Sequence, residues 1–101
     1  MNTWELAILR TVAEAGGGGE LDLQGIYLGV RGFIRLSAEH LRLTAWSGRP
    51  AYHHQVRSHI SNLCQANQLR SVARARYMIT SAGRSRVSHT SVVRPTLLYI
   101  W

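Results

Sequence analysis

The sequence predicts a mostly α-helical protein that carries one small β-hairpin, an α+β fold class. Apolar residues recur at helical spacing over much of residues 3–66, which indicates amphipathic helices. Two short segments, residues 69–72 and 76–79, have the composition of strands and flank a turn at residues 73–75. With 101 residues, of which 46% are apolar, the chain is long enough for one domain with a modest core.

The first two predicted helices are separated by a run of glycines. Residues 3–15 form an amphipathic pattern with Asn2 as its N-cap, and the glycines at residues 16–19 end this helix in a surface loop. Residues 21–34 place apolar side chains on one face and form the second helix. Glycines within it are spaced four and three residues apart, which predicts that another element packs closely there. They are Gly25, Gly29 and Gly32.

Two further helices follow in the prediction. Residues 37–44 form a short helix with Ser37 as its N-cap, and residues 45–50 form a loop whose final proline suits the first turn of a helix. The fourth predicted helix covers residues 51–66. Asn67 follows at the position where a helix commonly ends in a left-handed backbone conformation, which asparagine tolerates.

The fourth predicted helix has two chemically different sides when its residues are placed at intervals of about 100°. Its buried side is apolar and consists of Val56, Ile60 and Leu63, flanked by Tyr52, His53 and Cys64. Its opposite side consists of His54, Ser58, Ser61 and Gln65, with Arg57 and Asn62 at the margins. These polar groups can bond to base edges or phosphates. A plain solvated face is the alternative, although such a face is usually rich in Glu and Lys.

The charged residues are unevenly distributed along the chain. The net charge is +7, all 12 basic residues are arginine, and the five acids lie within residues 1–39. Residues 40–101 therefore hold nine arginines and no acid. Arg70, Arg74 and Arg76 lie on or beside the predicted hairpin. Such asymmetry favours a polyanionic partner, and nucleic acid is the polyanion that it indicates.

A set of motifs runs through residues 36–87. Its members are Gly48-Arg49-Pro50, Val56-Arg57-Ser58 with Ile60 and Leu63, Leu69, Arg74-Ala75-Arg76-Tyr77 with Ile79-Thr80, and Ala82-Gly83-Arg84. This stretch resembles the N-terminal winged-helix domain of Mrr-type restriction proteins. It departs from the family pattern at Asn67 and Ala75, where the family usually has glycine. The resemblance implies a winged helix-turn-helix fold in which a helix and the hairpin, or wing, bind double-stranded DNA.

The resemblance does not extend to the nuclease activity of that family, which belongs to a separate C-terminal domain with an acidic metal site and a catalytic lysine. This chain has no lysine and no acid after Glu39. Cys64 is its one cysteine and lacks the partners for an internal disulfide or a zinc site. His53, His54 and His59 lack zinc-enzyme spacing and have no acid nearby to orient them. The sequence therefore predicts no enzymatic activity, no cofactor and no bound metal.

We expect a DNA-binding protein that acts as a transcriptional regulator or as a phage or mobile-element accessory factor, in the cytoplasm and associated with the nucleoid. The alternative is a protein-interaction module whose winged-helix surface contacts an acidic protein. The predicted base readers are His54, Arg57, Ser58 and Ser61. The arginines predicted to contact phosphates or the minor groove are Arg49, Arg70, Arg74, Arg76 and Arg84.

Histidines on and beside this face predict a pH dependence. His53, His54 and His59 change charge near neutral pH if they are exposed. Protonation would add positive charge to the DNA-binding face. The sequence therefore predicts tighter DNA binding at pH 6 than at pH 8.

The C-terminal segment differs from the rest of the chain. Residues 1–87 form the predicted DNA-binding domain, which residues 80–87 close as a turn or short helix, and residues 88–101 form an extended tail. The tail ends in an apolar run that either packs on the first helix or forms a homodimer interface. Its members are Leu97, Leu98, Tyr99, Ile100 and Trp101. The sequence has no apolar run of the roughly 18 residues that would span a membrane, and residues 1–10 lack the features of a secretory signal.

Overall fold

The computed structural model describes residues 3–15, 18–43 and 48–90. The N-cap predicted at Asn2 and the apolar run predicted at residues 97–101 lie outside the described residues. The elements in chain order are α1 (Thr3–Ala13), β1 (Glu20–Asp22), α2 (Leu23–Gly29) with a 3₁₀ turn at Val30–Gly32, α3 (Ala38–Leu41), α4 (Tyr52–Gln65), β2 (Leu69–Ala73), β3 (Arg76–Ile79) and α5 (Ser81–Thr90). The described chain is thus mostly helical with a small antiparallel sheet, which confirms the predicted α+β class.

The sheet has three strands in the order β1-β3-β2. β3 pairs with β1 on one side, Leu21 opposite Tyr77, and with β2 on the other, Leu69 opposite Ile79. The prediction that residues 21 and 22 are helical is wrong, because both belong to β1. This strand is only three residues long and is stabilised by its pairing with β3, a segment distant in sequence.

Asp22 is the last residue of β1 and the N-cap of α2. Its backbone is extended, and its side chain accepts a hydrogen bond of 2.9 Å from the backbone N–H of Gly25. An aspartate that caps a helix in this way satisfies one of the free N–H groups of the first turn. The α-helix therefore begins at Leu23, and the helical region ends in the 3₁₀ turn at Gly32 rather than at the predicted residue 34.

The core lies between α1, α2, α4 and the sheet. The apolar faces predicted for the first, second and fourth helices are buried, which confirms their helical phasing. The buried core residues are Ala7, Ile8, Leu9 and Val12 of α1; Ile26, Tyr27 and Val30 of the second helical segment; Tyr52, Val56, Ile60 and Leu63 of α4; and Leu69 and Ile79 of the sheet.

The glycines of the second helix differ in their surroundings. At Gly29, a β-carbon would collide with the side chain of Thr11, so α1 and α2 approach closely there as predicted. At Gly25, the atoms nearest to an added β-carbon belong to Leu21 and Asp22, which are neighbours in sequence, and nothing lies within 4 Å at Gly32. The predicted close packing therefore holds at one of the three positions.

The start of α3 and the end of α4 follow local sequence signals, whereas α3 ends at Leu41 rather than at the predicted residue 44. Ser37 caps α3 as predicted: its hydroxyl accepts from the backbone N–H of His40, and the imidazole of His40 accepts from the backbone N–H of Ser37. Asn67 has a φ of 60°, the left-handed conformation predicted for the residue that ends α4. The backbone can therefore turn directly from α4 into β2.

The last helix is longer than predicted. α5 extends from Ser81 to Thr90, so the first three residues of the predicted extended tail are helical. Thr80 connects it to the preceding elements, because its hydroxyl accepts from the N–H of Gly83 at 3.1 Å and donates to the carbonyl of Asn67 at 2.6 Å. α5 contacts α1 and β3. Within the described ranges, no helix has the length and apolarity needed to cross a membrane.

Candidate nucleic-acid interface

One side of α4 is exposed and polar, as its phasing predicts. His54, Ser58 and Ser61 are exposed, together with Asn62 and Gln65. The opposite side is in the core, where Val56, Ile60 and Leu63 are at most 3% exposed. The exposed side therefore offers hydroxyl, amide and imidazole groups without a carboxylate from α4 itself.

The first turn of α4 belongs to an aromatic cluster rather than to the exposed side. Tyr52 is buried, and its hydroxyl donates to the carbonyl of Tyr27 at 3.0 Å. The imidazole of His53 stacks on the ring of Tyr27. Its burial, followed by the nearby Arg49 and Arg57, lowers the pKa of His53, so this side chain stays neutral at physiological pH. It does not add charge to the exposed side.

His59 lies on the other flank of α4. Its Nδ1 is 3.3 Å from Oε2 of Glu5, which α1 brings across the core. The expectation that no acid lies near His53, His54 and His59 is therefore wrong for His59. Of the three histidines expected to make DNA binding pH-dependent, His54 is the one on the exposed side of the helix.

A cavity of about 330 Å³ lies between α4 and the inner face of the sheet. Two predicted base readers, Arg57 and Ser61, line it from the helix. The guanidinium of Arg57 is oriented by a hydrogen bond of 3.4 Å from Nη1 to the hydroxyl of Tyr27. The other lining residues are Leu23, Ile60, Cys64, Ser71 and Tyr77. The structure thus brings the predicted reading helix and the hairpin together around one concave surface.

The hairpin arginines differ in their partners. Arg70 and Arg74 are exposed and form no ion pair with any described residue. Arg76, in contrast, forms a salt bridge from Nε to Oε2 of Glu20. β1 brings this carboxylate next to β3, so the acid that neutralises Arg76 comes from the acidic first part of the chain. Arg70 and Arg74 are therefore better placed than Arg76 to bind an external anion.

The remaining predicted arginines lie apart from the hairpin tip. Arg49 is exposed and precedes the first turn of α4. Arg84 is exposed on α5, and its guanidinium donates to the carbonyl of Gly18 at 3.4 Å. Arg86, which was not among the predicted contacts, bonds to Glu5 at 2.9 Å and to Gln68 at 2.8 Å. Glu5 thus partly neutralises the basic second half of the chain.

The hairpin turn takes the shape that a glycine would normally provide. Ala75 has a φ of 54°, and its carbonyl accepts a hydrogen bond of 2.8 Å from the N–H of Leu23. This bond fixes the turn to the first residue of α2. The register shifts between Ser71 and Ala73, and Val72 at this irregularity is 37% exposed. The hairpin tip therefore presents Val72 between two unpaired arginines, although the sequence alone gives no signal for the bulge.

Three residues of the cavity were not predicted as site residues. Ser71 and Tyr77 face each other across β2 and β3, and Cys64 lies on α4. Burial raises the pKa of Cys64, and burial followed by Cys64 and Tyr27 raises the pKa of Tyr77. Both groups are therefore uncharged at neutral pH. The sequence could not identify them, because their proximity depends on the strand register.

Among the described residues, no group of three or more His, Cys, Asp or Glu side chains is arranged to hold a metal ion. Comparison with protein-family models, with curated proteins and with solved structures gave no match.

Proposed function

We propose that this protein binds double-stranded DNA as a winged helix-turn-helix. α4 acts as the recognition helix in the major groove, and the β2–β3 hairpin acts as the wing. The order of helices and strands supports this proposal, as does the position of the recognition helix directly before the hairpin. The resemblance of residues 36–87 to the N-terminal domain of Mrr-type restriction proteins points in the same direction.

The observation that carries the proposal is the charge on the surface formed by α4 and the hairpin. Arg57, Arg70 and Arg74 form no salt bridge with any described residue. The chain as a whole has a net charge of +7. A guanidinium group can donate two parallel hydrogen bonds to phosphate oxygens or to the edge of guanine. Guanidinium groups without a salt bridge, beside a polar helix face, therefore favour nucleic acid over a neutral partner.

The proposed contacts divide into two groups. His54, Ser58 and Ser61 are exposed on α4 and can bond to base edges, with Arg57 at the margin of the same face. Arg70 and Arg74 contact phosphates beside the groove occupied by the helix. Arg49 and Arg84 extend the phosphate contacts, and Arg76 contributes less because Glu20 neutralises it.

This activity is binding rather than catalysis. The biological roles that fit it are transcriptional regulation and an accessory function in a phage or mobile element. Both place the protein on DNA, in association with the nucleoid.

The proposal is tested by measuring the affinity for a fluorescently labelled duplex over a series of salt concentrations. The logarithm of the affinity should fall linearly with the logarithm of salt concentration, by about 0.9 for each phosphate neutralised. Selection of bound sequences from a random duplex pool, with and without methylated bases, then identifies the site and its symmetry. An affinity that does not change between low and moderate salt would contradict the proposal.

A further inference from the structure

The cavity between α4 and the sheet opens where the apolar layer of the sheet ends. On the inner face, Leu69 pairs with Ile79, and both side chains are buried in the core. The next inner pair is Ser71 with Tyr77. Both residues of this pair line the cavity of about 330 Å³.

The walls of the cavity have different chemistry. Leu23 and Ile60 supply apolar surface, and Tyr77 supplies an aromatic ring. Ser61 and Ser71 supply hydroxyl groups. This combination of a mostly apolar and aromatic lining with a few polar groups is typical of sites for small molecules, and the volume is at the lower end of their range.

A single positive charge is present in the cavity. Arg57 has no carboxylate partner among the described residues, and its Nη1 lies 3.4 Å from the hydroxyl of Tyr27. The two other titratable lining groups are neutral, because burial raises the pKa of both Cys64 and Tyr77. A ligand in the cavity therefore binds more tightly if it carries one negative charge, which pairs with the guanidinium of Arg57.

We propose that this cavity binds a small monocyclic aromatic carboxylate. The ring lies against Tyr77 between Leu23 and Ile60, and the carboxylate pairs with the guanidinium of Arg57. One guanidinium can hold both oxygens of one carboxylate, so a single cation is sufficient for this class of anion. The apolar walls account for the ring, which a free inorganic anion would lack.

Ligand binding in this cavity would compete with DNA. Arg57 and Ser61 line the cavity and are also proposed contacts of the recognition helix, so this part of the inference rests on the proposed function. A bound carboxylate would neutralise Arg57 and occupy the concave surface beside the hairpin. A ligand of this class would therefore act as a small-molecule effector that releases the protein from DNA.

The probe is benzoate, and its binding is measured on the free full-length chain in two ways. Cys64 is the one cysteine of the chain and lines the cavity, so benzoate should slow its alkylation by iodoacetamide in a saturable manner. Amide resonances of Ser71 and Tyr77 should shift with the same dissociation constant in two-dimensional NMR spectra. Acetate, which has no ring, and benzamide, which has no charge, are compared at matched ionic strength.

Benzoate should bind at least about tenfold more tightly than either acetate or benzamide, because only benzoate satisfies both the apolar walls and Arg57. Arg57→Gln should weaken benzoate binding by about the same factor. Ser71→Phe should weaken benzoate binding, because the added ring narrows the cavity beside Tyr77. Arg35→Gln removes an exposed arginine that does not line the cavity, so its benzoate affinity should equal that of the wild type. Circular dichroism checks that each variant is folded.

Equal binding of acetate and benzoate would contradict the claim that the apolar walls bind an aromatic ring. Equal binding of benzamide and benzoate would contradict the claim that Arg57 binds the carboxylate. Absence of saturable protection of Cys64 in the folded wild type would overturn the site as a whole. These results are independent of DNA. A protein that binds benzoate but not duplex DNA would refute the proposed function and leave the cavity assignment intact, and the reverse result would refute the cavity assignment alone.

Discussion

The imidazole of His53 lies flat on the ring of Tyr27, with the two ring centroids 3.7 Å apart and the planes inclined by 4°. The stack joins the first turn of α4 to α2. Nδ1 of His53 is buried and has no hydrogen-bond partner among the described residues. A neutral ring tolerates this position better than a charged one, since Arg49 and Arg57 are close and burial penalises the charged form.

This arrangement predicts that stability falls in mild acid. Because the pKa of His53 is lowered in the folded protein, the unfolded chain takes up a proton first as the pH drops below about 6.5. Protonation therefore favours unfolding in the window between that value and the lowered pKa. His53→Phe keeps an aromatic stack and cannot be protonated. Its stability relative to wild type should rise as the pH falls from about 7.5 to about 5.5.

Urea denaturation at the two pH values measures this difference. At the higher pH the variant should be within about 1.5 kcal/mol of wild type, as is usual for swaps of similar volume. His54→Phe is the matched control, because the neighbouring imidazole is exposed. A constant difference between His53→Phe and wild type across the window would show that His53 titrates alike in both states.

Glu5 connects α1 to two other helices, and its removal should destabilise the fold. Its two oxygens lie 3.3 Å from Nδ1 of His59 and 2.9 Å from Nη1 of Arg86, and its side chain is 17% exposed. Glu5→Gln should cost about 1–3 kcal/mol, the usual loss for a partly buried charged hydrogen bond. Glu14→Gln is the control, because the Glu14 side chain is 54% exposed. This substitution should cost about 0–1 kcal/mol of stability. Thermal and urea denaturation compare the two, and equal losses would contradict the prediction.

Gly83 is a position where the fold has no room for a side chain. A β-carbon there would collide with the carbonyl oxygen of Gln68, which is backbone and cannot rotate away. Gly83→Ala should therefore destabilise the protein by about 1–3 kcal/mol. At Gly32 nothing lies within 4 Å, and Gly32→Ala should stabilise the protein by about 0.4–1 kcal/mol by restricting the unfolded chain. Unfolding measurements on both variants test this pair, and similar effects of the same sign would refute it.

The hairpin turn contains backbone strain that glycine would relieve. Ala75 has a φ of 54°, where an L-residue with a β-carbon is disfavoured. Ala75→Gly should raise the free energy of unfolding by about 0.5–1 kcal/mol. This figure already allows for the greater conformational entropy that glycine gives to the unfolded chain. Ala73→Gly, in the strand opposite Arg76, should lose about 0.5–1 kcal/mol. If both substitutions destabilise the protein in denaturation experiments, the turn is not strained.

For the proposed binding to DNA, the ion pairs predict which arginines determine the salt dependence. Arg70→Gln with Arg74→Gln should reduce the salt slope by about 1.8, or 0.9 for each lost phosphate contact. Arg42→Gln with Arg76→Gln changes the net charge equally, but these arginines are paired with Glu39 and Glu20. The slope should therefore change by less than half as much, as measured by fluorescence anisotropy. Equal changes for the two double variants would assign the effect to net charge alone.

Features specified over a few residues could be predicted from the sequence. The buried side of α4 follows from the spacing of Val56, Ile60 and Leu63, and the left-handed end of α4 follows from Asn67. The cap of α3 follows from Ser37. Each depends on helical periodicity or on local hydrogen bonds, so residues close in sequence contain the information.

Features that depend on long-range pairing could not be predicted in this way. β1 is a strand because it pairs with β3, and its register brings Glu20 to Arg76. The packing of α1 against α4 and α5 brings Glu5 to His59 and Arg86. Charge that is separated along the sequence is therefore partly neutralised in space, and the second half of the chain is less positive at its surface than its composition implies.

The sequence by itself determined the α+β class, the helical phasing of α4, the location of the hairpin and the excess of arginine. The tertiary structure decided which of the arginines have carboxylate partners, and it formed the cavity between Arg57 and Tyr77. The physical reason is that periodicity and capping act within a few residues, whereas ion pairs and cavities depend on the register of strands and the packing of helices that are distant in the chain.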